Sequence, residues 1–144
     1  MAKIDHKDFN VEMQIRAIEL LNSSLQYPAN PTTASTAFNF SIRIESKADA
    51  ANKLVFVIVH VDIKTEDLSL VLGSLSLSCI YEIADFDAVI KMDAGGNLVM
   101  PEPLIETLNS QSISTTRGVM FSMFRGTFLH GAVLPLVGGI VSKQ

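Results

Sequence analysis

Large apolar side chains fall on alternate positions in three successive stretches of the chain, the pattern of a strand with one greasy face. In FNFSIRIES, Phe38, Phe40, Ile42 and Ile44 alternate with Asn39, Ser41, Arg43 and Glu45. This predicts a half-buried strand whose other face meets water. KADAAN, 47–52, breaks the pattern. KLVFVIVHVDIK then sets Val55, Val57, Val59, Val61 and Ile63 against Leu54, Phe56, Ile58, His60 and Asp62, apolar on both sides over its first half. TED, 65–67, is short enough for a hairpin turn. It leads into DLSLVLGSLSLSCIYEI, where Leu68, Leu70 and Leu72 alternate and, after Gly73 and Ser74, the alternation resumes one step out of phase at Leu75, Leu77, Cys79, Tyr81 and Ile83. A one-residue slip sends side chains to the opposite face of a sheet, and a glycine inside a strand often marks a bulge. The expectation is a strand that turns one half to its own core and the other to a neighbour or ligand. Short connections between the three strands predict an antiparallel meander.

The flanks are less uniform. In VEMQIRAIELLNSSLQYP, Val11, Ile15, Ile18 and Leu21 suit a helical face, whereas Val11, Met13 and Ile15 suit a strand; the pattern alone leans helical. YPANPTT, 27–33, reads as a linker or turn. After the meander, ADFDAVIKMDAGGNLVMPEP turns at Gly95, Gly96 and Asn97, and Pro101 and Pro103 can open a short helical segment through Leu104, Ile105 and Leu108. A longer helix is expected from about Ser112 to Arg125, with Asn109 or Ser110 as N-cap. Ile113, Thr116, Met120, Met123, Phe124 and Thr127 would form its inward face. Phe121 and Phe128 fall on the other side, so its second half is apolar nearly all round. Gly118, which costs about 1 kcal/mol against alanine inside a helix, suggests close approach to the sheet. Gly126 is expected to end the helix in a left-handed conformation.

Composition sharpens this picture. At 144 residues the chain fits one domain, 1–144, with residues 1–11 a flexible N-terminus and 138–144 a short C-terminal tail. Hydrophobic residues make up 48% and charged ones 18%. That is greasy enough to imply apolar surface covered by something outside the chain. A net charge of -4 with scattered basic residues argues against nucleic acid. Cys79 is the sole cysteine and reads as a small core residue. The charged N-terminus has no apolar signal region, and the uncharged run from Gly126 to Ser142 is broken by Pro135, Gly138 and Gly139, so a buried loop rather than a membrane anchor is expected. A cytoplasmic protein fits best.

Candidate chemistry is sparse. His6, His60 and His130 lack the spacing of a zinc site, and Asp85, Asp87 and Asp93 depart from a calcium loop. SISTTRG, 112–118, reads as helix capping with an exposed Arg117. No metal or cofactor is expected, and no set of base, nucleophile and orienter is legible, so the chain is read as a non-enzyme.

SMFRGTFLHGAVLPLVGG, Ser122–Gly139, resembles the helix end, Arg-Gly-Thr-Phe turn and proline-containing crossover of the SecB family of protein-export chaperones. SISTTRGVMF is similar to the helix of the SecB-like branch, and MQIRAIELLNSSLQYPANP to the family's N-terminal strand and proline-rich turn. The resemblance covers roughly 12–137 and turns 13–25 from helix to strand. It implies an α+β fold: a four-stranded antiparallel sheet with a long helix packed on one face, assembled into homodimers or a homotetramer. It implies an ATP-independent holdase that binds non-native polypeptides in apolar grooves, for protein export or for one client such as an antitoxin. A carrier of small hydrophobic ligands is the alternative. The family's contact with the motor SecA depends on a C-terminal helix and acidic tail that GIVSKQ is too short to supply. Leu70, Leu72, Leu75, Leu77, Phe121, Phe124 and Phe128 are the expected groove or assembly residues.

Overall fold

Four long strands carry the molecule. The computed structural model describes residues 2–6, 9–27, 37–135 and 142–143, with side chains described for 11–27 and 37–135. The strands β1 (Ala2–His6), β2 (Phe9–Leu25), β3 (Phe38–Asp49), β4 (Leu54–Thr65) and β5 (Val71–Ile83) are followed by a single helical turn, α1 (Phe86–Val89), and the short strands β6 (Lys91–Met92) and β7 (Leu98–Val99). A long helix, α2 (Glu102–Met123), and a final strand, β8 (Ser142–Lys143), complete the order. The main sheet runs β1-β2-β5-β4-β3-β8, antiparallel except for β3 with β8. Its centre is a four-stranded antiparallel sheet, and α2 lies across β4 and β5. The proline turn expected at 28–33 and most of the tail, 138–141 and 144, lie outside the described residues.

The face under α2 is built by register. Val57, Val59, Val61 and Ile63 of β4 stand opposite Cys79, Leu77, Leu75 and Gly73 of β5, and opposite Ser46, Ile44, Ile42 and Phe40 of β3. Leu104, Leu108, Ile113 and Met120 of the helix close over this layer, all buried. Tyr81 sinks its ring into it and satisfies its hydroxyl on Ser112 Oγ at 2.8 Å. Burial pushes the Tyr81 phenol up to about 12, because the charged form would lose its hydration. Cys79 is a buried free thiol in the same layer.

The phase change in β5 is a bulge. Ile63 pairs with Gly73 and Lys64 with Val71, leaving Leu72 as the extra residue. A bulge turns two successive side chains the same way, and Leu72 therefore joins Leu75 and Leu77 in one core rather than sending half the strand elsewhere. Gly73 is needed there: a Cβ would meet Leu129 Cδ1 at 2.6 Å and the Ser24 carbonyl oxygen at 3.1 Å. Leu68 and Leu70 belong not to the strand but to the β4–β5 turn, with Leu68 at φ 65. Asp67 closes that turn by accepting from the Ser69 N–H at 3.0 Å and from the hydroxyls of Thr65 and Ser69. These donors hold its carboxyl down to about 2, those of Ser69 and Thr65 first.

The helix differs from its expected form in three ways. It is one continuous element from Glu102, because Pro103 lies within the first turn, where its missing N–H breaks no bond. Pro101, not Asn109 or Ser110, occupies the N-cap position. No heavy atom lies within 4 Å of a Cβ built on Gly118, so close packing does not explain that glycine. Met123 is exposed, while Phe124 is buried beside Gly73. Gly126, at φ 80, follows the C-cap Phe124 in the expected left-handed region. Arg117 is not a free cap: its Nε donates to the Leu134 carbonyl at 2.7 Å and Nη2 to that of Pro135 at 2.9 Å. This clamp fixes the crossover loop, whose Leu129, Ala132 and Leu134 are buried.

Candidate functional site

β2 lies between β1 and β5, and two irregularities shape it. Its pairing with β5 shifts between Ile15 and Ala17 and again between Leu20 and Asn22. Arg16 and Leu21 are the extra residues, so the side chains aimed at the helix side are Val11, Met13, Ile15, then Ile18 and Leu20, then Ser23 and Leu25. Register confirms this: Ile15 stands opposite Tyr81, Ile18 opposite Cys79 and Leu20 opposite Leu77, three residues sealed beneath α2.

The helix, which meets β4, β5 and β1, leaves part of this row uncovered. Ile15, Ile18 and Leu20 are 42%, 48% and 44% exposed, although they share a face with side chains at 0 to 1%. Leu21, in the second bulge, is also exposed. The result is an apolar row along β2, open to water on a face whose other half is the core. It leads toward Leu25, opposite Gly73, where the end of α2 packs through Phe124. Phe121 and Met123 are exposed in that last helical turn. At the same end of the sheet Tyr27 meets Phe128 in a tilted ring contact, centroids 4.6 Å apart, and Leu70 and Val71 are exposed.

The seven residues expected from the sequence divide. Leu72, Leu75, Leu77 and Phe124 sit in the core of the single chain. Leu70 and Phe121 are exposed, and Phe128 is half-buried under Tyr27. The β2 row was missed. Its signal was present as Ile15, Ile18, Leu20 and Leu21, but two bulges gave it a helix-like spacing.

The polar candidates have local roles. Asp93 accepts from the N–H groups of Gly95 at 2.9 Å and Asn97 at 2.8 Å, closing a turn, and these donors hold its carboxyl below the usual range, Asn97 first. Asp87 pairs with Lys53 at 2.7 Å. Among the described residues no three His, Cys, Asp or Glu side chains converge as metal ligands, and no helix is long and apolar enough to cross a membrane.

This topology, a four-stranded antiparallel sheet under one long helix, is the SecB-like fold. Among solved structures the chain is similar to the Mycobacterium tuberculosis Rv1957 SecB-like chaperone, determined in complex with a ChAD peptide from the Rv1956 HigA1 antitoxin. The TM-score is 0.51 at 15% identity, over 90% of this chain and 88% of that one. No family model and no curated protein matches the sequence.

Proposed function

We propose that the chain is an ATP-independent holdase that captures non-native polypeptides on the apolar row of β2 and the exposed end of α2. The observation that carries this reading is the exposure of Ile15, Ile18 and Leu20 on the same sheet face as the buried Tyr81, Cys79 and Leu77. Covering each large apolar side chain contributes about 1.5 to 3 kcal/mol, and ordering the client offsets a good part of it. A few such contacts give affinity that is useful and releasable, with no covalent step. The fold of a chaperone solved in complex with an antitoxin peptide supports a polypeptide occupant. An antitoxin-like segment is the narrower form of this proposal, and a second copy of the chain is a competing occupant of the same row.

The test is calorimetric titration with a permanently unfolded protein, its folded form as control, alongside the mass of the free particle. Binding of the unfolded form alone is expected, with at least about tenfold loss in the Ile18→Lys/Leu20→Lys double variant, equivalent to about 1.4 kcal/mol. Unchanged affinity in that variant would overturn the assignment of the row.

A further inference from the structure

The face of the sheet turned away from α2 carries a different arrangement, independent of the client row. Four residues from four strands stand side by side across it: Asn22 opposite Ser76, Ser76 opposite His60, and His60 opposite Arg43. Glu45, two residues along β3 from Arg43, reaches back to His60. His60 Nδ1 lies 2.7 Å from Ser76 Oγ, and His60 Nε2 lies 2.8 Å from Glu45 Oε1. The row borders a cavity of about 580 Å³, lined by Asn22, Ser41, Arg43, His60, Asp62 and Ser76 among others.

The hydrogen bonds select a tautomer. The His60 bond, first among its causes, holds the Glu45 carboxyl below its ordinary range. An ionised Glu45 only accepts, so whenever the ring is neutral Glu45 takes its Nε2–H. Nδ1 is then the lone pair available to the Ser76 hydroxyl. A hydroxyl on a base, with that base oriented by a carboxylate, is the arrangement that activates a serine. Catalysis of this kind is recognised by geometry rather than by sequence position. The second bulge of β2 has its purpose here as well, since it rotates Asn22 to the open face, next to Ser76. Side-chain amides serve as donors to a developing oxyanion.

We propose that Ser76 is a nucleophile toward carboxylic esters, with His60 as its general base and Glu45 as the residue that positions His60. Ser76 Oγ forms a bond to the acyl carbon while its proton passes to Nδ1. The bond from that carbon to the alkoxide oxygen breaks, and the alkoxide leaves with the proton from Nδ1. Water then attacks the acyl carbon and gives a proton to Nδ1, and the Ser76–acyl bond breaks as Oγ takes that proton back. The products are an acid and an alcohol. Asn22 flanks Ser76 on the side away from His60, where the carbonyl oxygen becomes negative, and Arg43 lies at the other end of the row, beyond His60.

The full chain is treated with a fluorescent alkyl fluorophosphonate, the adduct is mapped by mass spectrometry, and hydrolysis of p-nitrophenyl butyrate is followed in parallel. An adduct on Ser76 is expected, absent in Ser76→Ala, and formed about 100-fold or more slowly in His60→Gln. Glu45→Gln is expected to lower kcat with little change in KM, a split that general loosening of the fold does not give. Circular dichroism confirms that each variant keeps its sheet. No adduct on Ser76, or ester hydrolysis equal in wild type and a folded Ser76→Ala, overturns the proposal. Client capture measured on Ser76→Ala is expected to be unchanged, so the failure of either reading is distinguishable from that of the other.

Discussion

Tyr81 brings a polar atom into the driest part of the molecule, where the Ser112 hydroxyl partners it. The folded chain keeps the phenolic proton up to about 12, whereas an unfolded chain releases it near roughly 10. Stability is thus full below roughly pH 10 and falls as pH rises from there toward about 12. Thermal melts across that range are expected to show the fall, and Tyr81→Phe is expected to flatten the tyrosine part of it while costing about 1 kcal/mol at neutral pH for the Ser112 partner it strands. Two glycines behave in opposite ways. Gly73→Ala drives a methyl into the buried Leu129 side chain and against the Ser24 backbone carbonyl, and is expected to cost about 1 to 3 kcal/mol by overpacking. Gly118→Ala meets nothing and is expected to stabilise by up to about 1 kcal/mol. Denaturant titration checks both. The sequence alone showed two special positions, but not which of them had a neighbour.

At the scale of elements, strands with unbroken alternation were legible from the pattern. β3 and β4 needed only the period of two, and Phe40, Ile42 and Ile44 meet Ile63, Val61 and Val59 as the alternation implies. β2 was not legible in that way. Its helix-facing residues 11, 13, 15, 18, 20, 23 and 25 are spaced by two with two steps of three, because Arg16 and Leu21 are extra residues. Steps of three mimic the period of a helix, and only the resemblance to SecB-like chains turned the reading toward a strand. The same device hid the fate of Leu72. The helix was split in two because Asn109 and Ser110 read as an N-cap, whereas α2 runs straight through them. Because Ile18 and Leu20 are already exposed, Ile18→Lys/Leu20→Lys is expected to move stability by no more than about 0.5 kcal/mol per site. A shared melting midpoint with wild type, measured beside the titration, separates loss of client from loss of fold.

The whole molecule is two-sided. One face is a hydrophobic core with an uncovered margin, and the other sets a polar ladder of Asn22, Ser76, His60 and Arg43 beside the apolar Phe56, Ile58 and Ile80. Glu45, His60 and Ser76 were invisible as a group in the sequence, since 15 and 31 residues separate Glu45–His60 and Glu45–Ser76 and only the cross-strand register joins them. Capture on the apolar margin is expected to carry a negative heat-capacity change and to vary little with salt, because it removes apolar surface rather than pairing charges. Calorimetry at several temperatures and ionic strengths checks this, and strong weakening by salt would point to charge pairing instead. The two sides share β2, and Leu21 is the one link there that pairs with neither side. Removing Leu21 alone would close the bulge and leave Leu20, Asn22 and Ser23 opposite Leu77, Ser76 and Leu75 as before. The strand thus carries a spare link whose loss keeps each neighbour on its own side.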